Sequence, residues 1–174
     1  MNCIFQSYLD DFNQITILLP QNYFSGKSSG FWLINGDEET ELHIEQIIDI
    51  GDYIKYVCLL PTFIELGYLY FVKDEYGNQT VLQSGTVVRK ERFDTLYYYD
   101  NTDLGVTYTK SNTVFKLWAP TATAVSLILI YKDNKSIIKM NKGKQGTFVL
   151  TVDRDLEGCL YRYLITNNNK STAV

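Results

Sequence analysis

Histidine and proline are scarce in this sequence of 174 residues, which has one histidine and 3 prolines. A catalytic triad that depends on histidine would have to use His43, and no second histidine exists for a two-histidine metal site. His43 falls at a solvent-facing phase of an alternating segment, so we interpret it as a surface residue. The 45% hydrophobic content, together with so few prolines, predicts a packed globular chain rather than a disordered one.

Cysteine is also sparse, and the three residues, Cys3, Cys58 and Cys159, show no C-x-x-C spacing. Zinc or redox chemistry is therefore not predicted, and we interpret these side chains as reduced thiols of a cytoplasmic protein. The N-terminus has no basic region, and its apolar run at 15–19 is too short for a signal peptide or a membrane span. We expect a cytoplasmic location and no membrane partner.

Positive charge does not dominate, since 16 lysines and arginines face 20 acidic residues and the formal net charge is -4. No basic field is available to hold a phosphate backbone, so a nucleic-acid partner is not predicted.

Two motifs that resemble ligand sites fail on spacing. The run SGKSS at 25–29 suggests a P-loop, but the first glycine of that motif would fall on Gln21, so a polar loop is the better interpretation. The run DRDLEG at 153–158 resembles the start of a calcium loop, yet the closing glutamate position falls on Leu164. We predict no metal, no cofactor and no catalytic residue. The acidic residues that a glycosidase could use stand on predicted loops, where we expect solvated charge: Asp10, Asp11, Asp37, Glu38 and Glu39.

Period-two alternation and 14% aromatic residues, most of them tyrosine, predict an all-β chain. The predicted strands include YIKYVCLL, a hairpin of YLYFV (68–72) and TVLQS (80–84), and a hairpin of SLILIY (126–131) and SIIKM (136–140) with a turn at Asp133 and Asn134. FVLTV (148–152) and LYRYLI (160–165) are expected to complete a meander. ETELHIEQIIDIG (39–51) fits a helix or a strand, and its neighbours favour a strand.

The length suits two small β-sandwiches better than one large one. The charged run RKER at 89–92 and the turn-like FDTLYYYDN that follows it mark the best boundary. We predict two immunoglobulin-like β-sandwich modules in tandem, 1–93 and 94–174, leaving open whether the second is truncated at its C-terminal end. The aromatic linker should be packed and rigid.

The stretch YYYDNTDLGVTYTKSNTVFKLWAPTATAVSLILIY at 97–131 resembles type I pullulanases, the α-1,6 debranching enzymes of glycoside hydrolase family 13. From Leu104 to about Asn169 the pattern is similar to a family 48 carbohydrate-binding module, including a closing D-L-x-G-x-x-Y-x-Y at 155–163. Residues 1–93, with YLDDFNQITILLP at 8–20, are similar to the N-terminal β-module of cytoplasmic bacterial pullulanases.

The resemblance implies a non-catalytic N-terminal region that supports an enzyme cleaving α-1,6 branches in pullulan and in glycogen- or starch-derived dextrins. In that family the catalytic carboxylates stand on a (β/α)₈ barrel, which this chain is expected to lack. The implied partners are the catalytic domain and, weakly, an α-glucan. A free-standing glucan-binding module and a purely structural or partner-binding sandwich pair remain the alternatives.

Trp118 and Tyr131 are the candidate carbohydrate-binding residues. In VFKLWAP, Phe115 and Leu117 should face the core, whereas Trp118 faces the other side and Pro120 ends the strand pairing. Trp118 is then either a wedge against a neighbouring module or a platform for a sugar ring, and packing is the preferred interpretation.

Glycogen-binding relatives carry an aromatic residue in the loop after the closing hairpin, but TNNNKS at 166–171 has none. Phe148 stands where the family often has tryptophan. Both departures favour a scaffold role over tight glucan binding.

Overall fold

The computed structural model describes residues 4–132 and 134–174, and it divides them into two compact units. Residues up to Glu65 together with Leu69–Asp94 form the first unit, and Leu66–Tyr68 together with Thr95–Val174 form the second. They are called the first and second modules below. Cys3 and Asp133, which bear on the predicted thiols and turn, lie outside the described residues. Along the described part of the chain, no helix is long and apolar enough to cross a membrane.

The first module contains seven strands. They are β1 (Gln6–Asp11), β2 (Gln14–Pro20), β3 (Phe31–Asn35), β4 (Glu38–Asp49), β5 (Tyr53–Leu59), β6 (Phe71–Asp74) and β7 (Gln79–Ser84). Their order is β1-β2-β5-β4-β3-β6-β7, all neighbours in this list are antiparallel, and β7 pairs with β1 in parallel. The ladder therefore closes into a barrel. The ambiguous segment at 39–51 is a strand, as predicted, within β4 for nearly all its length.

Alternation explains how the strands of the first module bury one face. In β2 the side chains of Ile15, Ile17 and Leu19 are fully buried, while the intervening Leu18 is only partly covered. Phe5 and Phe31 fill the same interior, with ring centroids 6.3 Å apart. Burial of such apolar area is the main favourable contribution to folding.

A short helix, α1 (Glu91–Tyr97), follows the first module's last strand. We predicted turn chemistry there, and the helix was missed because seven residues are too few to show a clear helical period. Glu91 and Asp94 lie in its first turn, where acidic side chains favour the positive end of the helix dipole.

The second module is a sandwich of two antiparallel sheets. Its strands are β8 (Gly105–Tyr108), β9 (Thr113–Trp118), β10 (Ala124–Tyr131), β11 (Asn134–Lys139), β12 (Asn141–Lys142), β13 (Thr147–Val152), β14 (Leu160–Asn167) and β15 (Lys170–Ala173). One sheet has the order β11-β10-β14-β15 and the other the order β12-β13-β9-β8. The core between them includes Phe115, Val125, Leu127, Leu129 and Phe148.

The predicted fold class, all-β with two sandwich-like modules, is confirmed, but the meander was wrong. β10 and β11 form the expected hairpin, whereas β13 pairs with β9 in one sheet and β14 pairs with β10 in the other. Strand alternation shows which residues face inward, but it carries no signal for which sheet a strand joins.

Candidate functional site

Trp118 ends strand β9 with the orientation that the sequence predicts. Phe115 is only 2% exposed and Leu117 packs against the same core, whereas Trp118 is 40% exposed on the other face of the strand. The indole Nε1 of Trp118 donates a hydrogen bond to the main-chain oxygen of Tyr97 at 2.8 Å. One edge of the ring is therefore already used within the module.

The chain after Trp118 is locked by a close approach to Gly146. The main-chain nitrogen of Ala119 donates to the oxygen of Gly146 at 2.9 Å. Gly146 has a φ of +75°, and a Cβ atom there would lie 2.4 Å from Cβ of Pro120. The Ala-Pro sequence thus ends the strand and packs against a position that only glycine can occupy without strain.

Tyr99 and Asp103, which precede β9, form a polar cluster with Lys116 of that strand. Lys116, on the same face of β9 as Trp118, forms an ion pair with Asp103. The hydroxyl of Tyr99 donates to Oδ1 of Asp103 at 2.6 Å and accepts a hydrogen bond from Lys116 at 3.2 Å. The hydrogen bonds from Lys116 and Tyr99 lower the pKa of the Asp103 carboxyl. Tyr99 and Asp103 of the motif at 97–131 therefore tie the segment before β9 to the sheet.

Tyr131, the second candidate, ends strand β10 and is 48% exposed. The ammonium group of Lys132 lies 5.4 Å from the centroid of its ring, close enough for a cation–π contact. Residues 119–123 connect the end of β9 to the start of β10 at Ala124. Tyr131 is the last residue of β10 and therefore lies about 23 Å from Ala124, at about 3.3 Å per residue. The two candidates lie in different sheets, Trp118 at the end of the strand before the connection and Tyr131 at the far end of the strand after it, so they do not form one site.

Asp10 and Asp11 lie at the end of β1, and Glu38 and Glu39 lie in β4, so the prediction that these acidic residues stand on loops was wrong. Three of the acidic residues make side-chain contacts. Asp10 accepts a hydrogen bond from the main-chain nitrogen of Thr86 at 3.1 Å, and Asp11 accepts one from its neighbour Phe12 at 2.8 Å. Glu39 forms an ion pair with Lys73 at 2.5 Å on the surface.

His43 is exposed, as predicted. Among residues 4–132 and 134–174, no cluster of three histidine, cysteine or acidic side chains has the arrangement of a metal site.

Sequence reasoning missed one surface feature of the first module, a cluster in which Phe24 and Tyr76 are exposed and Tyr23 is partly buried. Tyr23 and Phe24 immediately precede the loop that we considered only for phosphate binding, and Tyr76 lies about fifty residues later. Two adjacent aromatic residues in a polar loop were the available signal. Nothing in the sequence alone places Tyr76 beside them.

The fold and the contacts at the candidate residues define a pair of β-modules in which polar groups of the motif residues, such as Trp118 and Lys116, have partners within the second module. Family models match both halves. Residues 5–89 match the pullulanase N1-terminal domain, and residues 103–174 match carbohydrate-binding module 48, the isoamylase N-terminal domain. The chain belongs to the N-terminal region of pullulanases, with a pullulanase N1-terminal domain in its first half and a family 48 carbohydrate-binding module in its second.

Individual relatives agree with this assignment. The pullulanase of Bacillus subtilis (strain 168) is 34% identical over 168 residues, which is 95% of this chain and 23% of the relative. The crystal structure of pullulanase from Anoxybacillus sp. LM18-11 complexed with maltotriose superposes with a TM-score of 0.92 at 39% identity, covering 98% of this chain and 25% of that one. The Bacillus subtilis type I enzyme complexed with maltose gives 0.94 at 31% identity, covering 100% and 24%. The chain thus spans about a quarter of the length of these relatives.

Proposed function

We propose that this chain is the accessory region of a pullulanase that hydrolyses α-1,6 branch linkages in pullulan and in glycogen- or starch-derived dextrins. The observation that carries the proposal is the match of nearly the whole chain to about a quarter of solved pullulanases, with TM-scores of 0.92 and 0.94. Its partner is the catalytic domain of such an enzyme.

The contacts at the motif residues support a scaffold role. The ion pair of Lys116 with Asp103 and the hydrogen bond from Trp118 to Tyr97 use polar groups that a sugar would otherwise engage. Phe148, where the family often has tryptophan, is buried in the core and has no free ring face to offer a ligand. Trp118 and Tyr131 lie apart, so each can give an α-glucan only one ring, which supports weak binding.

The proposed location is the cytoplasm. Cys58 and Cys159 are free thiols, and burial raises the pKa of the Cys58 thiol to about 12, so that it stays protonated and unreactive. Buried, unpaired thiols are common in proteins from reducing compartments.

The test is a chimera in which this chain replaces the matching N-terminal part of the Bacillus subtilis pullulanase. A second protein lacks that part entirely, and the intact enzyme is the control. We expect the chimera to release reducing sugar from pullulan at a rate close to that of the intact enzyme and to unfold at a higher temperature than the truncated protein. A chimera no more active or stable than the truncated protein would favour the alternative of a free-standing glucan-binding or structural protein.

A further inference from the structure

Asn35 and Gly36 lie at the tip of the hairpin that β3 and β4 form in the first module. Asn35, the last residue of β3, pairs with Glu38, the first residue of β4, so the loop between the strands has only two residues. Of these two, Gly36 has a positive φ of 61° and Asp37 does not, which is the pattern of a type II′ turn. Asn35 is also the only asparagine in the sequence that is directly followed by glycine.

The tip of this hairpin is open to solvent. Asn35, Gly36, Asp37 and Glu38 are all exposed, and a Cβ atom placed on Gly36 would meet nothing within 4 Å. Glycine itself has no Cβ atom, so its main-chain nitrogen is easier for a neighbouring side chain to approach than that of other residues. Water therefore reaches the side-chain amide of Asn35 and the peptide bond that follows it.

An asparagine side chain and the main-chain nitrogen that follows it can close a five-membered imide ring. In this reaction the Gly36 nitrogen gives up its proton and attacks Cγ of Asn35, so that a bond forms between these two atoms. The bond from Cγ to Nδ2 breaks, and Nδ2 takes up a proton and leaves as ammonia. No oxidant or cofactor is required, because one amide bond is exchanged for another.

Water completes the reaction by opening the ring. Addition of water at Cγ breaks the bond from Cγ to the Gly36 nitrogen and leaves an ordinary aspartate at position 35. Addition at the main-chain carbonyl carbon of residue 35 breaks the main-chain bond instead, and the chain then runs through the side chain as isoaspartate. By either route one side-chain amide and one water molecule become one carboxylate and one ammonium ion.

Opening of the hairpin tip controls how fast this ring can close. In the extended conformation of β3 the side chain of Asn35 and the Gly36 nitrogen are held apart, so Asn35 has to leave that conformation first. Loop tips open locally at little cost in free energy, in contrast to the centre of a barrel. The adjacent, exposed carboxylates of Asp37 and Glu38 repel each other and favour such opening.

We propose that Asn35 is a site of spontaneous deamidation, at which attack by the Gly36 nitrogen yields aspartate and isoaspartate and loosens the β3–β4 hairpin. Both products add a negative charge directly opposite Glu38, and like charges at facing positions of an antiparallel pair are destabilising. Isoaspartate also lengthens the main chain by one methylene group, next to a loop whose length fixes the strand register. The modification therefore weakens the pairing of β3 with β4 as the protein ages.

The second module supplies an internal control for the rate. Asn167 is the last residue of β14 and pairs with Lys170 across another two-residue loop, and it is exposed like Asn35. The two asparagines therefore occupy the same position in hairpins of the same loop length. Asn167 is followed by Asn168, whose Cβ atom hinders attack by its nitrogen, so Asn167 should react more slowly.

The test is incubation of the purified 174-residue chain at mildly alkaline pH for several weeks, followed by digestion and mass spectrometry of the peptides. We expect the peptide that contains Asn35 to gain about 1 Da and to contain isoaspartate. Its rate should be at least about tenfold that of Asn167, because glycine leaves the attacking nitrogen unhindered. Gly36→Ala should slow the reaction. Asn35→Gln should abolish it, because the longer side chain cannot form the five-membered ring, and it serves if alanine at the positive φ prevents folding.

The effect on the hairpin is measured on the converted protein, which its added negative charge separates on an ion-exchange column. Amide hydrogen exchange at residues 31–42 should be faster in the converted protein than in fresh protein, whereas exchange in the second module should be unchanged. Asn35→Asp adds the charge without lengthening the main chain, so it should show a smaller increase. A rate at Asn35 no higher than at Asn167 would overturn the proposed site. Unchanged exchange at 31–42 in the converted protein would overturn its effect on the hairpin.

Discussion

The indole nitrogen of Trp118 donates a hydrogen bond to the main-chain oxygen of Tyr97 at 2.8 Å, joining the end of strand β9 to the segment that leads into the second module. Lys116, two residues earlier on the same face, forms the ion pair with Asp103 in that segment. The aromatic linker is thus fastened along the outside of β9 within the second module. The indole nitrogen of Trp118 and the ammonium group of Lys116 therefore already have partners within the module.

The exchange Trp118→Phe tests this relationship, because it keeps an aromatic ring and removes the indole donor. Leaving the Tyr97 oxygen without its partner should lower the free energy of unfolding by about 1 kcal/mol. Urea unfolding monitored by circular dichroism gives this quantity. If Trp118 is a sugar platform instead, Trp118→Ala would abolish glucan binding in calorimetry, whereas we expect no more than about a twofold change, or about 0.4 kcal/mol.

Replacement of Phe115 by alanine tests the assignment of the second module's core. The ring is 2% exposed and lies among Val125, Leu127 and Phe148, so its removal should cost about 3 to 5 kcal/mol of unfolding free energy. Thr151→Ala, at an exposed position on the adjacent strand β13, should change stability by less than about 0.5 kcal/mol. A loss below about 1 kcal/mol for Phe115→Ala would mean that the strand faces the other way.

Two glycines with the same φ angle separate the cost of the left-handed backbone from that of a steric conflict. Gly146 and Gly158 both have a φ of +75°, but a Cβ atom on Gly146 would meet Pro120, whereas one on Gly158 would meet nothing within 4 Å. Alanine at either site should cost about 1 to 2 kcal/mol for the left-handed backbone. At Gly146 overpacking should add about 1 to 3 kcal/mol. Equal losses in thermal or urea unfolding would show that Ala119 and Pro120 do not pack there as described.

The lowered pKa of Asp103 predicts how the folding stability of the chain changes with pH. Its folded-state pKa is lowered by Lys116 and Tyr99, so its contribution to stability is present above the ordinary aspartate pKa of about 3.9 and is lost as pH falls through the lower folded-state value. Because the site is exposed, the effect should be small. Urea midpoints between about pH 5 and pH 2 should fall more steeply for the unchanged chain than for Asp103→Asn. Asp153→Asn, at an exposed aspartate, is the control, and an identical slope for Asp103→Asn and the unchanged chain would contradict the assignment.

Strand positions and their inward faces could be predicted because alternation is a local property of the sequence. The inward Phe115 and outward Trp118 are examples. The strands that pair with β13 and β14 could not be predicted, since pairing is decided by residues far away in the chain. The aromatic cluster needs Tyr76 to meet Phe24 across the module, and this contact depends on the buried Asp74 rather than on any local pattern. Closure of the first module through β1 and β7 is a long-range property of the same kind.

The central claim of the proposed function is that this chain supports hydrolysis by a catalytic domain without performing it. Retaining α-glucan hydrolysis needs two carboxyl groups held about 5 to 5.5 Å apart, one of them with a raised pKa. Asp10 instead accepts a hydrogen bond from the main-chain nitrogen of Thr86, and Glu39 pairs with Lys73.

The most direct measurement is a reducing-sugar assay on pullulan with the purified 174-residue chain, run beside the intact Bacillus subtilis enzyme. We predict no turnover by the chain at any enzyme concentration at which the intact enzyme gives a linear signal. Turnover that persists through repurification and disappears when a carboxylate of this chain is replaced would contradict the account.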